Sequence, residues 1–135
     1  HGLILTLHSS EPVGHLYQGK GETRPEVLWR FIRNFPDVTV VCAHWGVGLP
    51  FYALMPEVAD SLRNVYFDTA ASPLLYRSRV FSAVAGLVGA DRILLGSDFP
   101  LLRVSRLLRQ IEKSTLSEAE KAAVMGGNAA ALLPR

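Results

Sequence analysis

The sequence predicts an α/β fold of four consecutive βα units followed by a C-terminal helix. Three observations carry this reading. Four short apolar segments each end in polar or small residues, an amphipathic helical pattern follows each of them, and the segment ends His8, His44, Ala70 and Asp98 lie 36, 26 and 28 residues apart. That interval is about the length of one βα unit.

The predicted strands are "LILTLH" (3–8), "VTVVCAH" (38–44), "VYFDTA" (65–70) and "RILLGSD" (92–98). All are rich in apolar or β-branched residues, and the continuous run Ile93-Leu94-Leu95 suits a parallel strand better than a half-exposed antiparallel one. The first helix is expected over 25–34, with Pro25 at a first helical position and Val27, Leu28, Phe31 and Ile32 on one face. A second is expected over 50–63, where Leu54, Val58 and Leu62 fall one turn apart. Val80, Ala83, Val84 and Leu87 define a third over 79–88, and Leu107, Leu108 and Ile111 a fourth over 104–113. Ser117 and Glu120 form a capping box that starts the terminal helix, which runs towards "GGN" and a last turn at 129–133.

Four consecutive βα units allow a small doubly wound open sheet or half of a (β/α)8 barrel. A dinucleotide-binding sheet would carry three spaced glycines after a strand. "HWGVGLPF" offers Gly46 and Gly48, but Phe51 stands at the third position, so that reading is set aside.

At 135 residues and 49% hydrophobic content, the chain is long and apolar enough for one domain with a real core. Its formal charge of +2 is small and its Lys and Arg are scattered, which argues against a nucleic-acid partner. Apolar runs break well short of the ~18 residues of a membrane span, so no membrane partner and a cytoplasmic location are expected. Cys42, the single cysteine, lies within an apolar run and reads as a buried small hydrophobe. The chain opens at His1 with almost no lead-in to its first strand, so either His1 is a cloning remnant or the chain is a piece of something longer.

Aligning the strand ends brings together His8 after the first strand, His44 after the second and Asp98 after the fourth. Two imidazoles and a carboxylate are ligands that zinc and other first-row divalent ions accept. In parallel sheets such tips converge where ligands collect. His44 has a second possible role as a general base or a partner of developing negative charge. The long loop "EPVGHLYQGKGETRP" places Glu11, His15, Tyr17, Lys20 and Arg24 where a small acidic substrate could be met. Trp45 and Phe51 are candidates for a pocket wall, and Asp68 either supports the site from behind or bonds only to nearby backbone.

In this order, "LHSSEPVGHLYQGKG", "VVCAHWGVGLPFY", "NVYFDTAASPLLY", "ILLGSDFPL" and "GGNAAALL" resemble the C-terminal half of the amidohydrolase-related metal-dependent hydrolases. That branch includes aminocarboxymuconate semialdehyde decarboxylase and related ring-acid decarboxylases. The resemblance implies that residues 1–135 are strands five to eight of a (β/α)8 TIM barrel with a mononuclear divalent metal, commonly zinc. It assigns His8 as a metal ligand, His44 as the catalytic histidine, and Asp98 as a carboxylate that binds the metal or relays a proton. The family's first-strand H-x-H pair has no counterpart here, so weak metal binding by this chain alone is expected. The expected activity is metal-dependent hydrolysis of a small acidic or cyclic substrate, with decarboxylation as the alternative. The rival is a non-catalytic half barrel. The expected partners are a small-molecule substrate and either further copies in a homo-oligomer or a missing N-terminal half.

Overall fold

The computed structural model describes residues 2–133, and the reading of His1 lies outside them. Strands β1 (Ile4–Leu7), β2 (Thr39–Cys42), β3 (Val65–Asp68) and β4 (Ile93–Leu94) form one sheet in the order β1-β2-β3-β4, with every pair parallel. A doubly wound sheet reverses its strand order at a switch point. Here each strand lies beside its predecessor, which is the winding of a (β/α)8 barrel, so the half-barrel expectation holds and the open-sheet alternative falls.

In-register neighbours of a parallel sheet share a face. Val40, Cys42, Val65, Phe67 and Ile93 make the face that packs on the helices, and none is more than 1% exposed. On the opposite face Val41 and Leu94 are buried, Thr39, Tyr66 and Asp68 are half-buried and Thr6 is exposed. Leu5, paired with Val40, is still 37% exposed because β1 has a neighbour on one side only. Cys42 is a buried hydrophobe as expected, and burial pushes its thiol up to about 12.

Helix α1 (Pro25–Asn34) has the expected bounds. The second helix does not: α2 spans only Pro56–Ser61, preceded by an irregular 3-10 stretch over His44–Leu54. Val58 and Leu62 are buried as read, but Leu54 is 80% exposed because it precedes the helix. Proline at 56 starts α2 and the chain before it is occupied by a left-handed run. His44, Trp45, Gly46, Val47 and Gly48 have φ of 56, 59, 54, 46 and 97°. For a residue with a side chain this conformation costs about 1–2 kcal/mol. Packing holds it in place. The Trp45 ring is fully buried, lies edge-on to Phe81 at a centroid distance of 4.9 Å, and donates from Nε1 to Ser72 Oγ at 2.9 Å.

Gly46 is needed twice over. Its φ is 54°, and an added Cβ would meet the Phe67 ring at 3.0 and 3.1 Å and Cys42 Cβ at 3.2 Å. Gly46→Ala is therefore expected to destabilise the fold by ~2–4 kcal/mol, the left-handed penalty plus overpacking. Urea unfolding measures it, and a loss below ~1 kcal/mol would show that the turn relaxes freely.

Short helix α3 (Ser72–Leu75) escaped the sequence reading, whereas α4 (Arg79–Val88) and α5 (Val104–Glu112) follow it to within a residue. Strand β4 is much shorter than the expected 92–98, for a reason given below. The capping box at Ser117 is formed in both directions and opens α6 (Glu118–Ala122), which passes through a π turn over Ala123–Gly127 into α7 (Asn128–Leu132). Asn128 Nδ2 donates to the carbonyls of Ala90 and Ile93 at 2.8 Å each, pinning the C-terminal segment to the entry of β4. No helix among the described residues is long and apolar enough to cross a membrane.

Candidate active site

His8 and Asp98 are exposed at the carboxyl ends of β1 and β4, and His44 is buried immediately beyond β2. The imidazoles meet edge-on, with centroids 5.0 Å apart at 88° and His44 Nε2 lying 3.3 Å from His8 Nδ1. The other His44 nitrogen, Nδ1, is 3.1 Å from the carbonyl of Ala70. A carbonyl only accepts, so this contact assigns the proton to Nδ1, and in the neutral ring Nε2 turns its lone pair to His8 Nδ1–H. His8 Nε2 is left without a protein partner among the described residues.

These three residues line one cleft of about 370 Å³ with Glu11, His15, Tyr17, Gln18 and Gly19 from the first loop, and Ala71, Leu74, Leu75 and Leu101 complete its wall. The loop is held by its own polar groups. Ser10 N donates to the Thr23 carbonyl at 3.0 Å, Gly21 N to Ser10 Oγ at 2.9 Å, and the Tyr17 hydroxyl to Glu11 Oε2 at 3.1 Å. Burial, with smaller contributions from the charges of Glu11 and Asp98, raises the Tyr17 phenol above its ordinary value.

Three residues expected to meet substrate lie elsewhere. Lys20 Nζ donates to the carbonyls of Val13 and His15 at 3.1 Å each and sits over the Tyr17 ring, so its charge is spent on the loop's own backbone. Arg24 is an exposed residue at the N-cap of α1 and does not line the cleft. Trp45 belongs to the core, for the packing reasons given above. Phe51 lines a neighbouring cleft of about 500 Å³ with Val47, Tyr52 and Tyr76, and the two clefts share Glu11, His15 and Leu75.

Two residues of β3 and its tip do more than the sequence suggested. Asp68 Oδ1 accepts from the backbone N–H of His44 and from that of Ala70, both at 2.9 Å. Burial raises its carboxyl above the usual range, opposed by those two hydrogen bonds. Thr69 Oγ1 donates to the Gly96 carbonyl at 2.9 Å and accepts from Gly96 N–H at 3.0 Å. This side-chain clamp replaces ladder pairing beyond Leu94. It ends β4 early and lets the chain turn to Asp98, whose φ is 63°.

A divalent cation can be tested against these donors. His8 Nε2 and the Asp98 carboxylate are a borderline nitrogen and a hard oxygen facing one cleft, the donor chemistry that zinc or manganese takes. Among the described residues no group of three His, Cys, Asp or Glu side chains is arranged to hold a metal ion. The residues fit as part of a ligand set.

A singly wound parallel sheet with its polar side chains gathered at the strand tips defines the class: half of a (β/α)8 barrel whose candidate site lies on the carboxyl face. The chain belongs to the amidohydrolase family, whose model matches residues 1–135. It is 24% identical over 114 residues to a gamma-resorcylate decarboxylase of Polaromonas sp. strain JS666, an alignment covering 71% of this chain and 34% of that protein. Its fold is similar to that of 5-carboxyvanillate decarboxylase from Sphingomonas paucimobilis, with a TM-score of 0.76, 18% identity, and coverage of 97% of this chain and 49% of the other. A dihydroxybenzoic acid decarboxylase from Polaromonas sp. JS666, solved with manganese and 2-nitroresorcinol, gives a TM-score of 0.74 at 21% identity, covering 97% and 49%. The chain thus spans a third to a half of these relatives.

Proposed function

We propose that this chain forms the C-terminal half of a metal-dependent decarboxylase acting on a small ring carboxylic acid. The observation that carries the reading is the convergence of His8, His44 and Asp98 in one cleft on the carboxyl face of a half barrel. The decarboxylase names of the relatives favour carbon–carbon cleavage over the hydrolysis expected from sequence. Manganese in relatives makes zinc one candidate among divalent ions.

His8 and Asp98 would hold the metal together with ligands supplied by the completing half of the barrel. When bound, the ion supplies positive charge that orients and polarises the acid. Loss of CO2 breaks the bond from ring carbon to carboxyl carbon and leaves the electron pair on the ring, where a proton takes the vacated position. Asp98, exposed in the cleft, relays that proton. His44 Nε2 faces the same space, and its lone pair can exchange the His8 Nδ1–H for a proton of the substrate as charge shifts. Glu11, His15 and Tyr17 shape the rim, and the apolar side chains of Leu74, Leu75 and Leu101 exclude water from a ring bound between them.

Metal content tests the ligand assignment. Dialysed against buffer, the 135-residue chain alone is expected to carry well under one ion, since a stable site needs about three or four protein ligands. One tightly held ion per chain would contradict the shared-site reading. We also propose that the half barrel does not stand alone but associates with a second copy or with the completing half.

A further inference from the structure

We propose that Asp68 is the positioning residue of His44: one carboxylate oxygen ties together the two backbone segments that fix where the imidazole points and which of its nitrogens carries the proton. This rests on the reading of His44 as the reacting imidazole.

The geometry behind it is a closed loop of hydrogen bonds. Asp68 Oδ1 accepts from His44 N–H at 2.9 Å and so anchors the backbone of a residue held at φ 56°. The same oxygen accepts from Ala70 N–H at 2.9 Å, curling its own chain back two residues on. The Ala70 carbonyl then receives His44 Nδ1–H at 3.1 Å. Two of the three hydrogen bonds of His44 therefore end on the 68–70 turn, and the third goes to His8. The backbone it holds is costly, because left-handed geometry at His44, Trp45 and Val47 disfavours L side chains and for the β-branched Val47 is an outlier. Strain of this kind persists only where surrounding structure over-determines it, and it gathers at functional sites. A free imidazole carries its proton mostly on Nε2. The loop enforces the opposite, leaving the Nε2 lone pair towards His8 and the cleft.

Position rather than charge is what Asp68 supplies. Asn at 68 retains an Oδ1 acceptor for both N–H groups, Ala removes it, and Glu keeps the charge but moves the oxygen by one methylene. The test is 15N NMR of the His44 ring across a pH series in the metal-free protein, with kcat and KM measured in parallel on the metal-loaded, completed barrel. The wild type and Asp68→Asn should show the Nδ1–H form. Asp68→Ala and Asp68→Glu should shift the population to Nε2–H and lower kcat by ~10-fold or more, the scale expected of a mispositioned acid or base, with KM and metal content little changed. Should Asp68→Ala fail to fold, Asp68→Glu against Asp68→Asn decides the matter. An unchanged His44 tautomer in Asp68→Glu, or loss of the Nδ1–H form in Asp68→Asn, would overturn the proposal. A tautomer that follows Asp68 while His44→Ala leaves turnover intact would sink the role of His44 and leave the positioning device standing.

Discussion

Replacing His44 with alanine is expected to lower turnover of the metal-loaded, completed barrel by ~10² or more with metal content unchanged, the usual scale for a lost general acid or base. The expectation follows from where the side chain's contacts go. Nδ1 is committed to the Ala70 carbonyl and the main-chain N–H to Asp68, so only Nε2 faces the cleft, where His8 Nδ1–H competes for its lone pair. That nitrogen lies 3.3 Å from His8 Nδ1, close enough for a hydrogen bond that orients His8. Removing the ring deletes a chemical group and one bond to His8, but neither of the two donors assigned to the metal. Loss of metal together with activity would place His44 among the ligands instead.

A second large effect concerns association. A compact monomer of 14.8 kDa exposes about 7,000 Å², whereas this chain exposes 8172 Å². The excess of ~1,200 Å² exceeds the ~800 Å² each partner buries in a standard interface. Buried apolar area at ~25 cal/mol per Å² gives a gross driving force of order 10 kcal/mol before the entropy of association is subtracted. The features that supply it are visible: β1 has a free edge, Leu3 and Leu5 are 72% and 37% exposed, and the sheet face bearing Thr6, Thr39 and Tyr66 is incompletely covered. Expressed alone, the chain should sediment at micromolar concentration as a dimer or larger assembly. A monomer that unfolds in one sharp transition would show that the open face is stable in water.

The two kinds of element were not equally legible in the sequence. Helix α1 could be read to the residue because Pro25 marks its start and its apolar face repeats at helical spacing. The capping box at Ser117 is a similarly local signal, since all its partners lie within four residues. Strand ends were harder, as the seven-residue expectation for β4 shows: Ile93-Leu94-Leu95 has strand propensity, but Thr69, 27 residues away in sequence, takes the Gly96 backbone with its hydroxyl. The left-handed run after β2 was hidden for the same reason. Gly46 and Gly48 hinted at a special backbone, yet nothing local says that His44, Trp45 and Val47 share it, because what holds them is packing on Phe81 and the bond that His44 N–H donates to Asp68.

Within the site, strand-tip position sufficed to place His8, His44 and Asp98 in one cleft. It could not separate loop residues that face the cleft, such as Glu11 and His15, from Lys20, which turns back on its own loop. Asp68 stood out only as an acid near a strand tip. Its bond to the His44 N–H depends on a parallel register that brings residue 68 beside residue 44, which no local pattern encodes, whereas its bond to the Ala70 N–H is a local turn two residues on.

The most direct measurement of the central claim is the balance of products from a small ring acid. The completed barrel, loaded with manganese, is incubated with 2,6-dihydroxybenzoate, and CO2 and resorcinol are quantified with and without a chelator. One CO2 and one resorcinol for each acid consumed, abolished by the chelator and lowered ~10² or more by His44→Ala, is the predicted result. CO2 release that survives both treatments, or hydrolysis of an amide or ester by the same protein with no CO2 from the ring acid, would contradict it.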